Sequence, residues 1–125
     1  MKTIIDMLPQ DDEGLSTYEF LVNRLADLDD DALESVIDRL AEIDRTGQYL
    51  TSASRYLHAL DSVGFEKQVN RMVSLIIDRD RERRYLGDLI QAIYGNDYVD
   101  HAEELSARDD NFRRIYKRLY PGFKV

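Results

Sequence analysis

Between Phe65 and Gly95 the apolar residues keep helical phase without a break, and this stretch restricts the fold more than any other. Val69, Met72, Val73, Ile76, Leu86, Ile90 and Ile93 recur at the i, i+3, i+4, i+7 spacing of one helix face. The charged run Asp78-Arg79-Asp80-Arg81-Glu82-Arg83-Arg84 interrupts them, yet counting by sevens carries Val69 and Ile76 through Arg83 to Ile90, and Met72 through Arg79 to Leu86. The spacing predicts helix on both sides of the charges, as one long rod or as a pair hinged between them. A straight rod of about 30 residues would be about 45 Å long, beyond the span of a compact domain of this size.

The flanking sequence repeats the helical pattern. Pro9 and the run Asp11-Asp12-Glu13-Gly14 predict an irregular lead-in over residues 1–15, from which Ile4, Ile5, Met7 and Leu8 can reach the core. Residues 16–125 are expected to form a single helical domain. Ser16 and Glu19 have capping-box spacing and open a first helix carrying Tyr18, Leu21, Leu25 and Leu28. Asp29-Asp30-Asp31 caps a second helix that buries Leu33, Val36, Ile37 and Leu40 and runs to about Thr46. A third covers Tyr49–Val63, with Gly64 as its C-cap, and Gly87 is expected to mark a close helix approach or a bend. Asp97 opens a fifth helix, and Asp109 or Asp110 opens a last one, ended by Pro121 and Gly122. No repeat, low-complexity tract or alternating strand pattern stands out. The expected fold is an all-α, compact bundle of five or six amphipathic helices, with a long central helix or helix pair at 65–94.

Charge is uneven along the 125 residues. Residues 1–44 carry a balance of −10 and residues 45–125 a balance of +2, for a total of −8. That sign opposes non-specific nucleic-acid binding by the whole molecule, because phosphate contacts need a positive surface. The absence of cysteine excludes disulfides, thiolate nucleophiles and Cys-based zinc sites. The short start, broken by Asp6, does not read as a signal peptide, and no run approaches the roughly 20 apolar residues of a membrane span. A cytoplasmic protein with no membrane association is the expectation.

Candidate chemistry is sparse. His58 lies beside the apolar stripe of the third helix; histidine phosphotransfer domains place a lysine-glycine pair after the reactive histidine where this chain has Asp61 and Ser62, so it reads as a boundary histidine. His101 and Glu104 share a helix face, but no second histidine completes a metal set. Neither G-x-G-x-x-G, nor a P-loop, nor a nucleophile elbow occurs. A non-catalytic role follows, with no cofactor and no metal.

The remaining features are charged helix faces. Asp31, Glu34, Asp38 and Glu42 form an acidic row on the second helix, and Arg113, Arg114, Lys117 and Arg118 a basic stripe on the last. Arg79 and Arg83 sit on the seam of the central segment: if it breaks they are expected at an exposed corner with local pairing, and if it is continuous they are expected to meet carboxylates across a helix interface or on a partner. The aromatics Phe112, Tyr116, Tyr120 and Phe123 fall at core-facing spacing behind the basic stripe. Together these predict a small regulatory or adaptor domain that binds another protein, or a second copy of itself as a homodimer. The alternative is nucleic-acid binding through the basic last helix.

Overall fold

Three turns of this chain are built on one plan, and the helices are arranged by them. In each, an aspartate sends its carboxylate ahead to the backbone N–H groups opening the next helix, which have no partner within the helix itself. In the computed structural model, which describes residues 3–122, Asp11 accepts from the N–H groups of Glu13, Gly14 and Thr17 at 3.2, 3.0 and 2.7 Å. Asp44 accepts from Gly47, Tyr49 and Leu50 at 3.2, 2.9 and 2.8 Å. Asp80 accepts from Arg84, Tyr85 and Leu86 at 2.8, 2.7 and 3.0 Å. Each carboxylate reaches the sixth residue after it. The third residue after each aspartate has positive φ: Gly14 at 126°, Gly47 at 86° and Arg83 at 59°.

The helices these turns launch are α1 (Leu15–Arg24), α3 (Gln48–Leu60) and α5 (Leu86–Tyr94), and the intervening helices are α2 (Asp30–Ile43) and α4 (Glu66–Arg79). A short 3₁₀ turn, Tyr98–His101, then leads into α6 (Ala102–Arg108) and α7 (Asp110–Leu119). The structure is all-helical, with seven α-helices among the described residues. α1, α3 and α5 pack side by side as one layer, and α2, α4 and α7 as the other. The third hairpin is therefore α5 with α7, and α6 is inserted between them.

The turns carry a duplicated sequence. Residues 44–50 read D-R-T-G-Q-Y-L and residues 80–86 read D-R-E-R-R-Y-L, an offset of 36. At that offset Leu33, Val36, Ile37 and Leu40 of α2 align with Val69, Met72, Val73 and Ile76 of α4, and all eight are buried. The sixth, ninth and tenth residues after each turn aspartate are buried in every unit: Thr17, Phe20 and Leu21; Leu50, Ala53 and Ser54; Leu86, Leu89 and Ile90. The chain thus contains an internal repeat, contrary to the sequence expectation. Outside the turns its units share chemical character and not identity, which is why the repeat was not visible there.

The Phe65–Gly95 segment divides into a hinged pair, α4 and α5, as one of the two alternatives for it anticipates. The break lies at the charges because Asp80 leaves the helix to cap the next one. Other expectations shift. Gly14 is the N-cap of α1, and Asp11 takes the capping role expected of Ser16 and Glu19. α2 stops at Ile43 because Asp44 folds forward, and α3 ends at Leu60 with Asp61, not Gly64, as C-cap. Gly87 lies in the first turn of α5 with nothing within 4 Å of where a Cβ would stand, so it marks no close approach of another helix. The lead-in contains a 3₁₀ turn, Ile4–Met7, and Arg39 holds it by donating to the Pro9 carbonyl at 3.2 Å. Ile4, Ile5 and Leu8 pack on the core while Met7 is exposed. Phe123 lies outside the described residues.

Candidate functional site

Adjacent turns lie against one another, so the turn edge of the stack is a continuous surface. A Cβ added to Gly14 would stand 2.7 Å from Cδ2 of Tyr49, which shows how closely the second turn covers the first. Arginines tie successive units. Arg79 of α4 donates to the Asp44 carbonyl at 2.8 Å, and Arg118 of α7 donates to the Asp80 and Ile77 carbonyls at 2.8 and 2.7 Å. Both residues use a planar guanidinium to satisfy carbonyls at the C-terminal end of the neighbouring helix in their layer, α2 for Arg79 and α4 for Arg118, where the helix dipole also favours a cation.

Three hollows lie along this edge. The first, about 520 Å³, is lined by Asp12 and Glu13 from the first turn and by Arg45, Gln48 and Tyr49 from the second. The second, about 250 Å³, lies between Arg45 and Thr46 on one side and Arg81, Arg84 and Tyr85 on the other. The third, about 530 Å³, is lined by Ile77, Asp78, Arg81, Arg114, Lys117 and Arg118. The edge therefore runs from acidic at the first turn to basic at α7.

The ion pairs decide which of these charges are available. Glu82 is paired with Arg84 at 2.8 Å, and Asp78 with Arg114 at 2.7 Å; Arg114 also donates to the Ser74 hydroxyl at 3.2 Å. Asp80 is 3% exposed and engaged with backbone N–H groups. Arg45, Arg81 and Lys117 are exposed, and among the described residues none of their side chains forms an ion pair or hydrogen bond. Each hollow after the first is bordered by two of these three cations.

The turn carboxylates share a plan but not a titration. Partial burial raises Asp11, yet the N–H groups of Thr17, Gly14 and Glu13 outweigh it and hold its carboxyl below the ordinary value of 3.8. Deeper burial pushes Asp44 above 3.8, against the pull of its three N–H donors and of Arg79. The larger desolvation wins at Asp44 because that residue is 1% exposed.

The charged residues singled out from the sequence are distributed as follows. Glu34 and Asp38 converge on Arg71 of α4, at 2.8 and 2.5 Å, and the Asp38 hydrogen bond above all holds that guanidinium's pKa above its usual value. Asp31 and Glu42 stay exposed. Arg83 donates to the Arg118 carbonyl at 3.2 Å, and Arg113 pairs with Asp110 within α7. Arg79, Arg83, Arg114, Lys117 and Arg118 therefore gather around the third turn, whereas the acidic row lies across α4 from α7. Arg45, Arg81, Tyr85 and Arg71 were not among the sequence candidates. The signal for the first three was the twice-occurring D-R-x-x-x-Y-L.

The aromatic residues of α7 are structural. Phe112 and Tyr116 are buried with Tyr98 and pack against the partly buried Tyr94, with ring centroids 5.0–6.2 Å apart, and the Tyr98 and Tyr120 hydroxyls are 3.0 Å apart. Burial and then the Tyr120 hydroxyl push Tyr98 up to about 12. Among the described residues, no group of three or more His, Cys, Asp or Glu side chains is placed to hold a metal, and no helix is long and apolar enough to cross a membrane. Comparison of the chain with family models, with curated proteins and with solved structures finds no match.

Proposed function

We propose that this chain is a non-catalytic adaptor that binds another protein along its turn edge. The observation that carries this reading is the ladder Arg45, Arg81 and Lys117: solvated cations on the second turn, the third turn and α7, bordering shared hollows, with the carboxylates of Asp78 and Glu82 near the last two already paired within the fold. Stacked helical hairpins characteristically present extended surfaces of this kind to extended partners. A local positive edge on a molecule of net charge −8 favours an acidic partner approaching from one side only.

The fold explains Asp44, Asp80, Leu50 and Leu86 of the duplicated turn through capping and burial. It gives no comparable task to Arg45 and Arg81, whose identity at equivalent positions is accounted for by a shared ligand. The test measures binding of labelled acidic peptides by fluorescence anisotropy to the wild-type chain, to Arg45→Glu/Arg81→Glu/Lys117→Glu, and to the control Lys67→Glu/Arg108→Glu, which reverses exposed cations off the edge. Loss in the first variant with retention in the control supports the reading. Equal loss in both, or tighter binding of a single-stranded oligonucleotide than of any peptide, overturns it.

A further inference from the structure

We infer that the turn edge reads an extended acidic peptide with carboxylates at every third residue, E-x-x-E-x-x-E, one for each of Arg45, Arg81 and Lys117. This rests on the proposed adaptor function and specifies its ligand. Arg45 and Arg81 occupy the same position of successive units, so their separation follows the unit-to-unit translation. That translation is the spacing of neighbouring packed helices, about 8–10 Å. A polyproline II segment advances about 3.1 Å per residue and returns to the same face every third residue, so three residues span one unit and all three carboxylates face the edge. α7 takes the corresponding place in the next unit, packed against α4 as α4 is against α2, and Lys117 stands on it across the third hollow from Arg81.

The hollows fit this arrangement. The two residues between successive carboxylates pass over the second and third hollows, whose floors offer Tyr85 in one and Ile77 in the other. The acidic end of the edge, Asp12 and Glu13 beside Arg45, disfavours a fourth carboxylate beyond it, which limits the motif to three and sets its register. A single nucleic-acid strand offers one charge per phosphate at a different repeat and has no need of a three-residue period.

The experiment compares three labelled peptides of equal length and charge, each with three glutamates in a proline-containing, non-helical background, spaced every second, every third or every fourth residue. An exposed charge pair changes affinity by up to about fivefold, so satisfying three pairs at once favours the matched peptide by about tenfold over either mismatched one. Arg81→Glu, at the centre of the ladder, should remove most of that preference, and Lys67→Glu none. Equal affinity of all three peptides, with binding still lost in the triple charge reversal, overturns the spacing while leaving the docking edge. No binding by any peptide overturns both.

Discussion

Replacing Asp80 with alanine tests whether the turn carboxylates organise the fold. Asp80 is 3% exposed and accepts three backbone hydrogen bonds of 2.7–3.0 Å at the start of α5. An ordinary N-cap replaced by alanine costs about 1 kcal/mol for the N–H group it leaves unpartnered. Here three are left, and the Leu86 N–H is buried, so water cannot replace the lost acceptor. The expected loss is about 3 kcal/mol, lowered somewhat because the variant no longer buries a charge and because the Arg84 and Tyr85 N–H groups are only partly covered. Against a total stability of about 6–19 kcal/mol for a chain of this length, that is a large share. It corresponds to a fall in Tm of about 10 °C.

Urea unfolding followed by circular dichroism gives the measurement, with an unchanged m-value showing that the same cooperative unit unfolds. Asp80→Asn keeps one acceptor oxygen for Tyr85 and Leu86 and should lose about half as much. Asp88→Ala, at an exposed site in the first turn of α5, is the control and should lose less than about 0.5 kcal/mol. If Asp80→Ala loses less than about 1 kcal/mol, or no more than Asp88→Ala, the carboxylate does not hold the turn and the reasoning fails.

Three further outcomes follow from the repeat. Arg83 holds φ of 59° where Gly47 stands in the preceding unit, and a left-handed non-glycine residue costs about 1–2 kcal/mol; Arg83→Gly should raise stability by about 0.5 kcal/mol after unfolded-state entropy and the 3.2 Å bond to Arg118 are lost, read as a higher urea midpoint. Ser54 is fully buried with no partner for its hydroxyl among the described residues, at the position held by Leu21 and Ile90 in the other units, so Ser54→Ala should stabilise by about 1 kcal/mol in the same assay. Carboxyl carbon shifts followed by NMR through acid pH should show Asp11 titrating below 3.8 and Asp44 above it. The signs differ accordingly: the Asp11 contribution is complete above pH 3.8 and fades as pH falls through its lower folded value, whereas the folded state favours protonated Asp44, so stability from that group rises as pH falls through its raised value towards 3.8.

Helix content and burial were largely legible in the sequence, because the apolar spacing of α2, α3, α4 and α7 is set by the helix itself. Leu33, Val36, Ile37, Leu40, Val69, Met72, Val73 and Ile76 are all core residues as their periodicity implies. Helix ends were less legible. Asp11, Asp44 and Asp80 cap from as far as six residues away, outside the three-residue spacing by which caps are ordinarily read, so Ser16 drew a role that belongs to Asp11. The proposed docking edge was the least legible part. Periodicity registers what is buried, whereas the proposed role of Arg45 and Arg81 rests on their exposure and, for Arg81, on the pairing of Asp78 and Glu82 with other arginines, which depends on tertiary placement.

That placement links the architecture to the proposed binding. The acidic row of α2 converges on Arg71, and the basic stripe of α7 is largely drawn onto α4 through Asp78, Ser74 and two carbonyls. Charges that appear in sequence as opposed faces awaiting a partner thus join one hairpin to the next. Each exposed pair of this kind adds only a few tenths of a kcal/mol to about 1 kcal/mol, but Arg79 and Arg118 also fix the height of one turn against the next by holding its carbonyl. The geometry of the ladder is inherited from those bonds. On the proposed reading Arg79 and Arg118 act as positioning residues, and replacing either with lysine, which lacks the rigid fork, should leave the urea midpoint nearly unchanged while the preference for the three-residue peptide spacing declines. A variant that lost stability and kept the preference would separate the two roles and place the register elsewhere.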